Sequence, residues 1–153
     1  MTLRAAIASA AVLGGAIAAY LTVVHYSHLS PICTTGGCEK VQQSSYAEAG
    51  GVPVAVLGLI GYAAVLLTVG VRGIPAALAG AAVALAGAAF SGYLLWAQIA
   101  RIHAICQWCV GNDVVIAVVA VLCVARVLTE PEARVLDDAR GVPDVGAPGS
   151  ARK

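Results

Sequence analysis

Long apolar stretches separated by short polar breaks dominate the hydrophobic pattern of this chain. A membrane-spanning helix needs about 20 mostly apolar residues, because each residue advances the helix by about 1.5 Å and the hydrocarbon core is about 30 Å thick. Four stretches meet this requirement, at residues 3–24, 53–71, 74–100 and 105–128. The pattern therefore predicts an all-α integral membrane domain with four spanning helices in residues 1–128.

Small residues recur at every fourth position in two of these stretches. This spacing lets helix backbones approach closely in lipid, where hydrophobicity cannot drive helices together. The repeats are Ala11, Gly15 and Ala19 in the first stretch, and Gly80, Ala84, Ala88 and Gly92 in the third. They support packing of the four helices into a bundle.

The composition favours the same class of protein. Of the 153 residues, 60% are apolar and only 11% are charged, whereas a soluble domain carries roughly 25% charged residues. The net charge of +1 excludes a basic nucleic-acid-binding surface. Residues 129–153 are different, because they are rich in charge, proline and glycine and cannot bury a core. We therefore expect a disordered cytoplasmic tail there.

Basic residues near the span ends predict the orientation, because cytoplasmic loops carry an excess of Lys and Arg. With both termini in the cytoplasm, only Lys40 and Arg101 lie on the outer side. The inner side then carries Arg4, Arg72, Arg126, Arg134 and Arg140. We therefore expect a multi-pass protein of the cell membrane whose polar segments at 25–52 and 101–105 face away from the cytoplasm.

The first stretch has an alternative interpretation as a cleaved signal peptide, with Arg4 as its charged flank. Its apolar run is longer than the roughly 7–15 residues of such signals, which favours a permanent helix. Either outcome leaves every outer cysteine on the same side of the membrane.

Cys106 and Cys109 stand at the predicted start of the fourth helix. Residues three apart share a helical face, so both sulfurs can point at one pocket or bond each other. The N-terminus of a helix lowers the pKa of a nearby thiol and favours the reactive thiolate. Redox and zinc sites both use C-x-x-C pairs, but the outward-facing helix start favours redox chemistry here.

A second pair, Cys33 and Cys38, flanks Thr34-Thr35-Gly36-Gly37 in the first outer segment. The two glycines leave this loop free to bring its thiols together. A fixed structural disulfide is the alternative, although it explains only one of the two pairs. Two pairs at one membrane face suggest a relay, with disulfide exchange outside and electron transfer to an acceptor in the lipid. Cys123 lies deep in the fourth stretch, and we assign it no role beyond that of a small apolar side chain.

Further motifs follow these cysteines in a specific order. They are Cys33-x4-Cys38-Glu-Lys-Val, Ser44 and Tyr46, then Gly51-Val-Pro-Val-Ala with Gly58 and Tyr62, and finally Cys106-x-x-Cys109. Over roughly residues 5–128, this order resembles the vitamin K epoxide reductase family, and in particular its bacterial homologues.

The resemblance implies a four-helix bundle around a quinone, with menaquinone or ubiquinone as the expected type. A secreted thioredoxin-fold, DsbA-like partner would exchange with Cys33. Cys38 would attack or pair with Cys106, and Cys109 would face the quinone. Ser44 matches the family's serine near the quinone, with Ser45 as the alternative if the register is shifted by one. Many bacterial members carry a fused thioredoxin-like domain, and we expect this chain to use a separate partner protein.

Asp113 follows Cys109 by one turn on the same helical face. An ionisable residue inside a span is by default a candidate functional group. If protonated, Asp113 would donate to a quinone oxygen or relay protons. The alternative is an ion pair with Arg101.

Two other functions compete with this relay. The unrelated four-span disulfide oxidase of the Dsb pathway carries its C-x-x-C pair in the first outer loop, and the order here is the reverse. A metal site is the other alternative, since thiolates and imidazoles bind zinc or copper. Its ligands would come from Cys33, Cys38, Cys106, Cys109, His25, His28 and His103.

Overall fold

The computed structural model describes residues 2–27, 29–34 and 36–140. Four long helices form a bundle: α1 (Leu3–Tyr26), α3 (Val54–Gly70), α4 (Ile74–Ala97) and α5 (Gln107–Arg140). The segment between α1 and α3 holds a short helix α2 (Cys38–Gln42) and an antiparallel pair of two-residue strands, β1 (Glu48–Ala49) and β2 (Val52–Pro53). A π-helical turn, Gln98–Ile102, extends α4.

Three of the described helices are long and apolar enough to cross a membrane. They are Leu3–Tyr26, Ile74–Ile102 and Gln107–Thr129, with mean hydropathies of 2.0, 1.8 and 2.2. Helix α3 contains no charged residue but has only 17 residues, at the lower limit of the roughly 17–25 residues that span a bilayer. All four predicted helices therefore exist, and three of them reach full spanning length.

The core lies where α1, α3, α4 and α5 meet. Helix α4 packs on α5, and α1 packs on both α3 and α5. Ile7, Ala11, Val65, Ala84 and Val119 are fully buried there. The small-residue spacing works as predicted at Ala11, Gly80 and Ala84, which are buried, but Gly92 is exposed. At Gly80, a Cβ atom would lie 2.5 Å from Thr68 Oγ1, so this glycine lets α4 approach α3 closely.

Several predicted boundaries differ from the observed ones. Helix α5 continues to Arg140, whereas the sequence predicted disorder from residue 129. Glu132, Ala133, Arg134 and Leu136 all have good helix propensity, and an existing helix is easily extended by such residues. The remainder of the predicted tail, residues 141–153, lies outside the described residues.

Two arginines close one end of the bundle, which we call the arginine end. Arg126, only 3% exposed, donates to the carbonyl oxygens of Thr68 at 3.0 Å and Val71 at 2.8 Å. Arg4 donates to the carbonyls of Val69 and Val71. These carbonyls end α3 and lack partners within the helix, so the guanidinium groups satisfy them and complement the helix dipole.

Candidate active site

One cluster at the opposite end of the bundle, which we call the cysteine end, contains Cys33, Cys38, Cys106 and Cys109. Cys38 begins α2 and Cys106 immediately precedes α5, and both side chains are fully buried. They pack with Val41 and Ile102. Cys33, Tyr46, Ala104, Trp108 and Cys109 pack against these four residues. The structure therefore brings together two pairs that are separated by 67 residues of sequence, between Cys38 and Cys106.

The two residues between Cys106 and Cys109 hold the loop that carries the other pair. Gln107 Oε1 accepts hydrogen bonds from the Thr34 amide at 3.2 Å and the Thr34 hydroxyl at 2.5 Å. Trp108 Nε1 donates to the Ile32 carbonyl at 2.8 Å. The Trp108 ring also packs on Tyr20 of α1, at 4.9 Å between centroids. The C-x-x-C motif thus supplies the docking surface for the loop as well as two thiols.

Gly37 lets this loop approach the segment before α5. A Cβ atom at Gly37 would lie 2.5 Å from the Ile105 carbonyl oxygen and 2.8 Å from its amide nitrogen. Both atoms belong to the main chain and cannot move aside as a side chain would. Gly36 differs, since nothing lies within 4 Å of its Cβ position and its φ of +74° suits glycine. Gly37 therefore allows the close contact with Ile105, and Gly36 allows the turn of the loop.

The two cysteine pairs are in different redox states. Cys33 and Cys38 form a disulfide, whereas Cys106 and Cys109 are free thiols. Cys33 is partly exposed and Cys38 is buried. An external thiol therefore has better access to Cys33 than to any atom of Cys38.

Cys106 is the residue that caps α5. Its carbonyl oxygen accepts the first intrahelical bond, from Val110 N at 3.0 Å. A hydrogen bond from the Cys109 thiol, and further ones from the amides of Cys109 and Trp108, lower the pKa of Cys106 to about 7, against the opposing effects of burial and of Asp113. The thiolate is the nucleophile and the better leaving group in disulfide exchange. Cys106 is therefore suited to accept and release a sulfur partner near neutral pH.

An apolar cavity of about 300 Å³ lies beside Cys109, which forms part of its lining. Leu21, Leu57, Phe90, Leu94 and Ile116 contribute to its walls. Its polar lining residues are Tyr62, Ser91, Asn112 and Asp113. An apolar pocket with a few convergent polar groups is typical of sites for small ligands. Among the described residues that line this cavity, Cys109 is the one member of the cysteine cluster.

Asp113 offers the cavity an unsatisfied polar atom. Its Oδ1 accepts a hydrogen bond from Ser91 Oγ. Its Oδ2 is buried and has no hydrogen-bond partner among the described residues. The alternative pairing with Arg101 is not formed, since Asp113 bonds to Ser91 and Arg101 is exposed. A buried polar atom without a partner is costly, so the cavity fits a ligand that carries a polar group on an apolar ring.

Tyr62 and Asn112 form a second polar pair in the cavity wall. The Tyr62 hydroxyl donates to Asn112 Oδ1 at 3.0 Å. Tyr62 is only 2% exposed, and its ring occupies the space that a Cβ atom of Gly14 would need, 2.2 Å from Cζ. The sequence indicated Tyr62 only as part of a family motif and did not single out Asn112. Both residues interrupt apolar helix faces, which is the signal that would have found them.

Ser44 lies elsewhere. Together with Ser45, it lines an open polar cavity of about 770 Å³ near His25, Glu39 and Glu48. Its hydroxyl donates at 2.7 Å to the carbonyl of Val41, in the last turn of α2. The structure thus brings Cys109 and Asp113 together at the apolar cavity without Ser44, and the predicted contact of Ser44 with a quinone stays a prediction.

Gln98 is a site residue that sequence reasoning missed. It begins the π-helical turn and is 2% exposed. Its Oε1 accepts a hydrogen bond from the Cys106 amide at 2.9 Å. A lone amide side chain within the third apolar stretch is the signal that would have indicated it.

Neither the metal alternative nor Cys123 gains support from the site geometry. No group of three His, Cys, Asp or Glu side chains able to hold a metal ion occurs among the residues described, and His28 lies outside them. Cys123 is buried in the helical core, apart from the cysteine cluster.

A comparison with known protein families matches residues 5–124 to the vitamin K epoxide reductase family. The match covers most of the 153 residues, and the chain therefore belongs to this family. It is accordingly a membrane thiol–disulfide oxidoreductase, of a family that is generally linked to a quinone and to a thioredoxin-fold partner. The resemblance read from the sequence is confirmed at this level.

Proposed function

We propose that this member of the vitamin K epoxide reductase family reoxidises a thioredoxin-fold, DsbA-like protein outside the cytoplasm and passes the electrons to a membrane quinone. The observation that carries the proposal is the cluster of four cysteines with an apolar cavity beside Cys109. A relay needs sulfurs that meet in sequence, because thiol–disulfide exchange proceeds through mixed disulfides.

The first exchange takes place at the loop disulfide. A thiolate of the partner attacks Cys33 Sγ, which is partly exposed, and Cys38 leaves as a thiolate. The second partner thiol then attacks the mixed disulfide and releases Cys33. The partner becomes oxidised, and the loop pair gains two electrons as thiols.

The second exchange is internal and starts from an oxidised Cys106–Cys109 pair. Cys38 attacks Cys106 Sγ and releases Cys109, and Cys33 then attacks Cys38 and releases Cys106. The lowered pKa of Cys106 makes it a good leaving group in the last of these steps. The products are a Cys33–Cys38 disulfide and two free thiols, which is the arrangement that the described state has.

The quinone site is assigned to the apolar cavity. A quinone accepts two electrons and two protons, which matches the two electrons that a dithiol releases. Cys109 and Asp113 line this cavity, with Tyr62 and Asn112 in its wall. Asp113 Oδ2 is the atom available to hold a proton or a hydrogen bond there. Menaquinone and ubiquinone are the expected ligands.

The orientation is proposed from the charges. Arg4 and Arg126 lie at the arginine end of the bundle, and cytoplasmic ends of membrane proteins are enriched in such residues. The cysteine end then faces away from the cytoplasm, where a secreted partner can reach it. A membrane-impermeant maleimide applied to intact cells after reduction of the loop disulfide should label Cys33, and labelling only after lysis would reverse the proposed orientation.

The relay as a whole is tested with purified oxidised protein, a reduced thioredoxin-fold protein and a soluble quinone analogue. We expect the quinol absorbance change to appear only when all three are present, with the partner oxidised in a one-to-one ratio to the quinol formed. The Cys123→Ser variant is the matched control and should behave like the natural chain. Quinol formation that persists in a Cys109→Ser variant would contradict the proposed path.

A further inference from the structure

Gln98 connects the end of α4 to the start of α5 through both its main chain and its side chain. Its carbonyl oxygen accepts hydrogen bonds from the amides of His103 and of Ala104, the latter at 3.2 Å. Its side-chain Oε1 accepts a hydrogen bond from the amide of Cys106 at 2.9 Å. One buried residue thus anchors three amides within the four-residue break before α5.

This break has a shape that local structure alone does not hold. The π-helical turn ends at His103, whose φ of +53° lies in the left-handed region. Residues other than glycine seldom adopt this conformation, and it persists only where the surroundings enforce it. The π-helical turn is itself rare and often marks functional positions. Three bonds to Gln98 hold the chain on this path.

The path decides where the Cys106 sulfur lies. Because Cys106 precedes the first turn of α5, its side chain can reach the amides of Trp108 and Cys109 and the thiol of Cys109 only in the capping conformation. Cys106 also packs with Cys38 in the buried cluster. A rotation of its main chain would move the sulfur away from both partners.

We propose that Gln98 is a positioning residue for the disulfide relay, holding the main chain of Cys106 so that its sulfur meets Cys38 on one side and Cys109 on the other. The inference rests on the proposed function for its role in turnover, but its geometric content is independent of any partner or quinone. Gln98 does not touch a reacting atom through its side-chain oxygen, since that oxygen binds the Cys106 amide.

Gln98→Met is the discriminating variant, because methionine keeps the unbranched shape of glutamine and removes the oxygen acceptor. Ile99→Leu is the matched control, since Ile99 belongs to the same turn but is 59% exposed. The readout is the pH profile of Cys106 ionisation, followed by the ultraviolet absorbance of the thiolate as the difference from a Cys106→Ala protein, because Cys106 is fully buried and needs a probe that does not have to reach it. The loop disulfide stays intact throughout. The ionisable groups that act on this thiol, Cys109 and Asp113, are unchanged in both variants.

We expect the midpoint of the profile to rise by about one pH unit in Gln98→Met, which is about tenfold less thiolate at a fixed acidic pH, and to stay unchanged in Ile99→Leu. A purely structural role would lower the thermal stability and leave this midpoint unchanged, and that result in a folded Gln98→Met protein would overturn the proposal. No quinone or partner takes part, so failure here is distinct from failure of the proposed function.

A second variant keeps the proposal testable if Gln98→Met does not fold. Gln98→Glu retains an oxygen acceptor at the same chain length. In a Cys33→Ala, Cys109→Ala background with a mild chemical oxidant added, we expect it to support formation of a Cys38–Cys106 disulfide at a rate within about tenfold of the rate with Gln98. Loss of this disulfide in the folded Gln98→Glu protein would contradict a role through the acceptor oxygen.

Discussion

The cysteine end and the arginine end of the bundle differ in how polar main-chain groups at the helix termini are bonded. At the arginine end, Arg4 and Arg126 bind carbonyl oxygens at the end of α3 directly. At the cysteine end, a π-helical turn, a short helix and a two-strand hairpin interrupt the regular helices. Side chains there hold main-chain segments that are far apart in sequence, such as Gln107 on Thr34.

We expect the bonds at the arginine end to contribute to the stability of the fold and those at the cysteine end to electron transfer. Bonds at the arginine end satisfy carbonyl oxygens at a helix terminus that takes no part in the proposed relay. In the proposed relay, the loop at the cysteine end releases Cys33 to a partner and returns Cys38 to Cys106, and the Thr34–Gln107 contacts that hold this loop are exposed. Substitutions at one end should therefore change stability, and those at the other should change electron transfer.

The largest contrast is expected between two cysteines of the same helix region. Cys106→Ser should abolish oxidation of the partner, because serine cannot form a mixed disulfide with Cys38. Cys123→Ser should leave the rate unchanged, because Cys123 lies in the helical core outside the cysteine cluster. The measurement is formation of disulfides in a secreted reporter protein, and full activity in Cys106→Ser would refute the relay.

The next largest effect is expected at the contact between the loop and α5. Gly37→Ala should slow the internal exchange on the order of 100-fold, because its Cβ would lie 2.5 Å from the Ile105 carbonyl oxygen and would displace the loop. Gly36→Asn is the control, since its Cβ meets nothing within 4 Å and asparagine tolerates a positive φ. Stopped-flow reduction of the quinone analogue measures the rate, and equal rates for both variants would rule out a requirement for close approach.

At the arginine end, Arg126→Leu should destabilise the fold by about 1–3 kcal/mol for each main-chain carbonyl left without a donor. Arg72→Leu is the control, because Arg72 is exposed. Thermal unfolding in detergent measures the loss. The pH profile of Cys106 ionisation should be the same in both variants, and a shifted profile in Arg126→Leu would show that the two ends are coupled.

The smallest effect concerns the protonation of Cys106. Because its pKa is lowered to about 7, the thiolate is populated above that pH and is lost as the pH falls below it. The thiolate absorbance of Cys106 should therefore rise through a midpoint near 7, compared with roughly 8.5 for an ordinary thiol. An observed midpoint at the ordinary value would show that the hydrogen bonds to its sulfur do not form.

The long helices could be predicted from the sequence because apolar run length determines them. The irregular segments could not. Helix α2 ends at Gln42, where the Ser44 hydroxyl donates to the Val41 carbonyl, and no change in the apolar pattern marks this end. The π-helical turn was missed for a similar reason, because its hydrogen bonds compete locally with those of an α-helix and no run of apolar residues marks the difference.

The spacing of the cysteines identified them from the sequence, but the residues that hold them in place could not be identified in this way. Cys109 and Asp113 share a helix face, so local periodicity was enough to place both at one cavity. The contacts of Gln98 with Cys106 and of Gly37 with Ile105 depend on how separate segments fold against each other. Ser44 was assigned by resemblance alone, and its position beside the polar cavity depends on where α2 ends.

The most direct test of the account is whether Cys38 and Cys106 join when their usual partners are removed. In a Cys33→Ala, Cys109→Ala variant, mild oxidation should produce a Cys38–Cys106 disulfide within one chain, identified by mass spectrometry of linked peptides. Cys123 should remain free in the same sample. Recovery of Cys38 and Cys106 as separate thiols, or linked only between chains, would contradict the central claim that the two pairs form one relay.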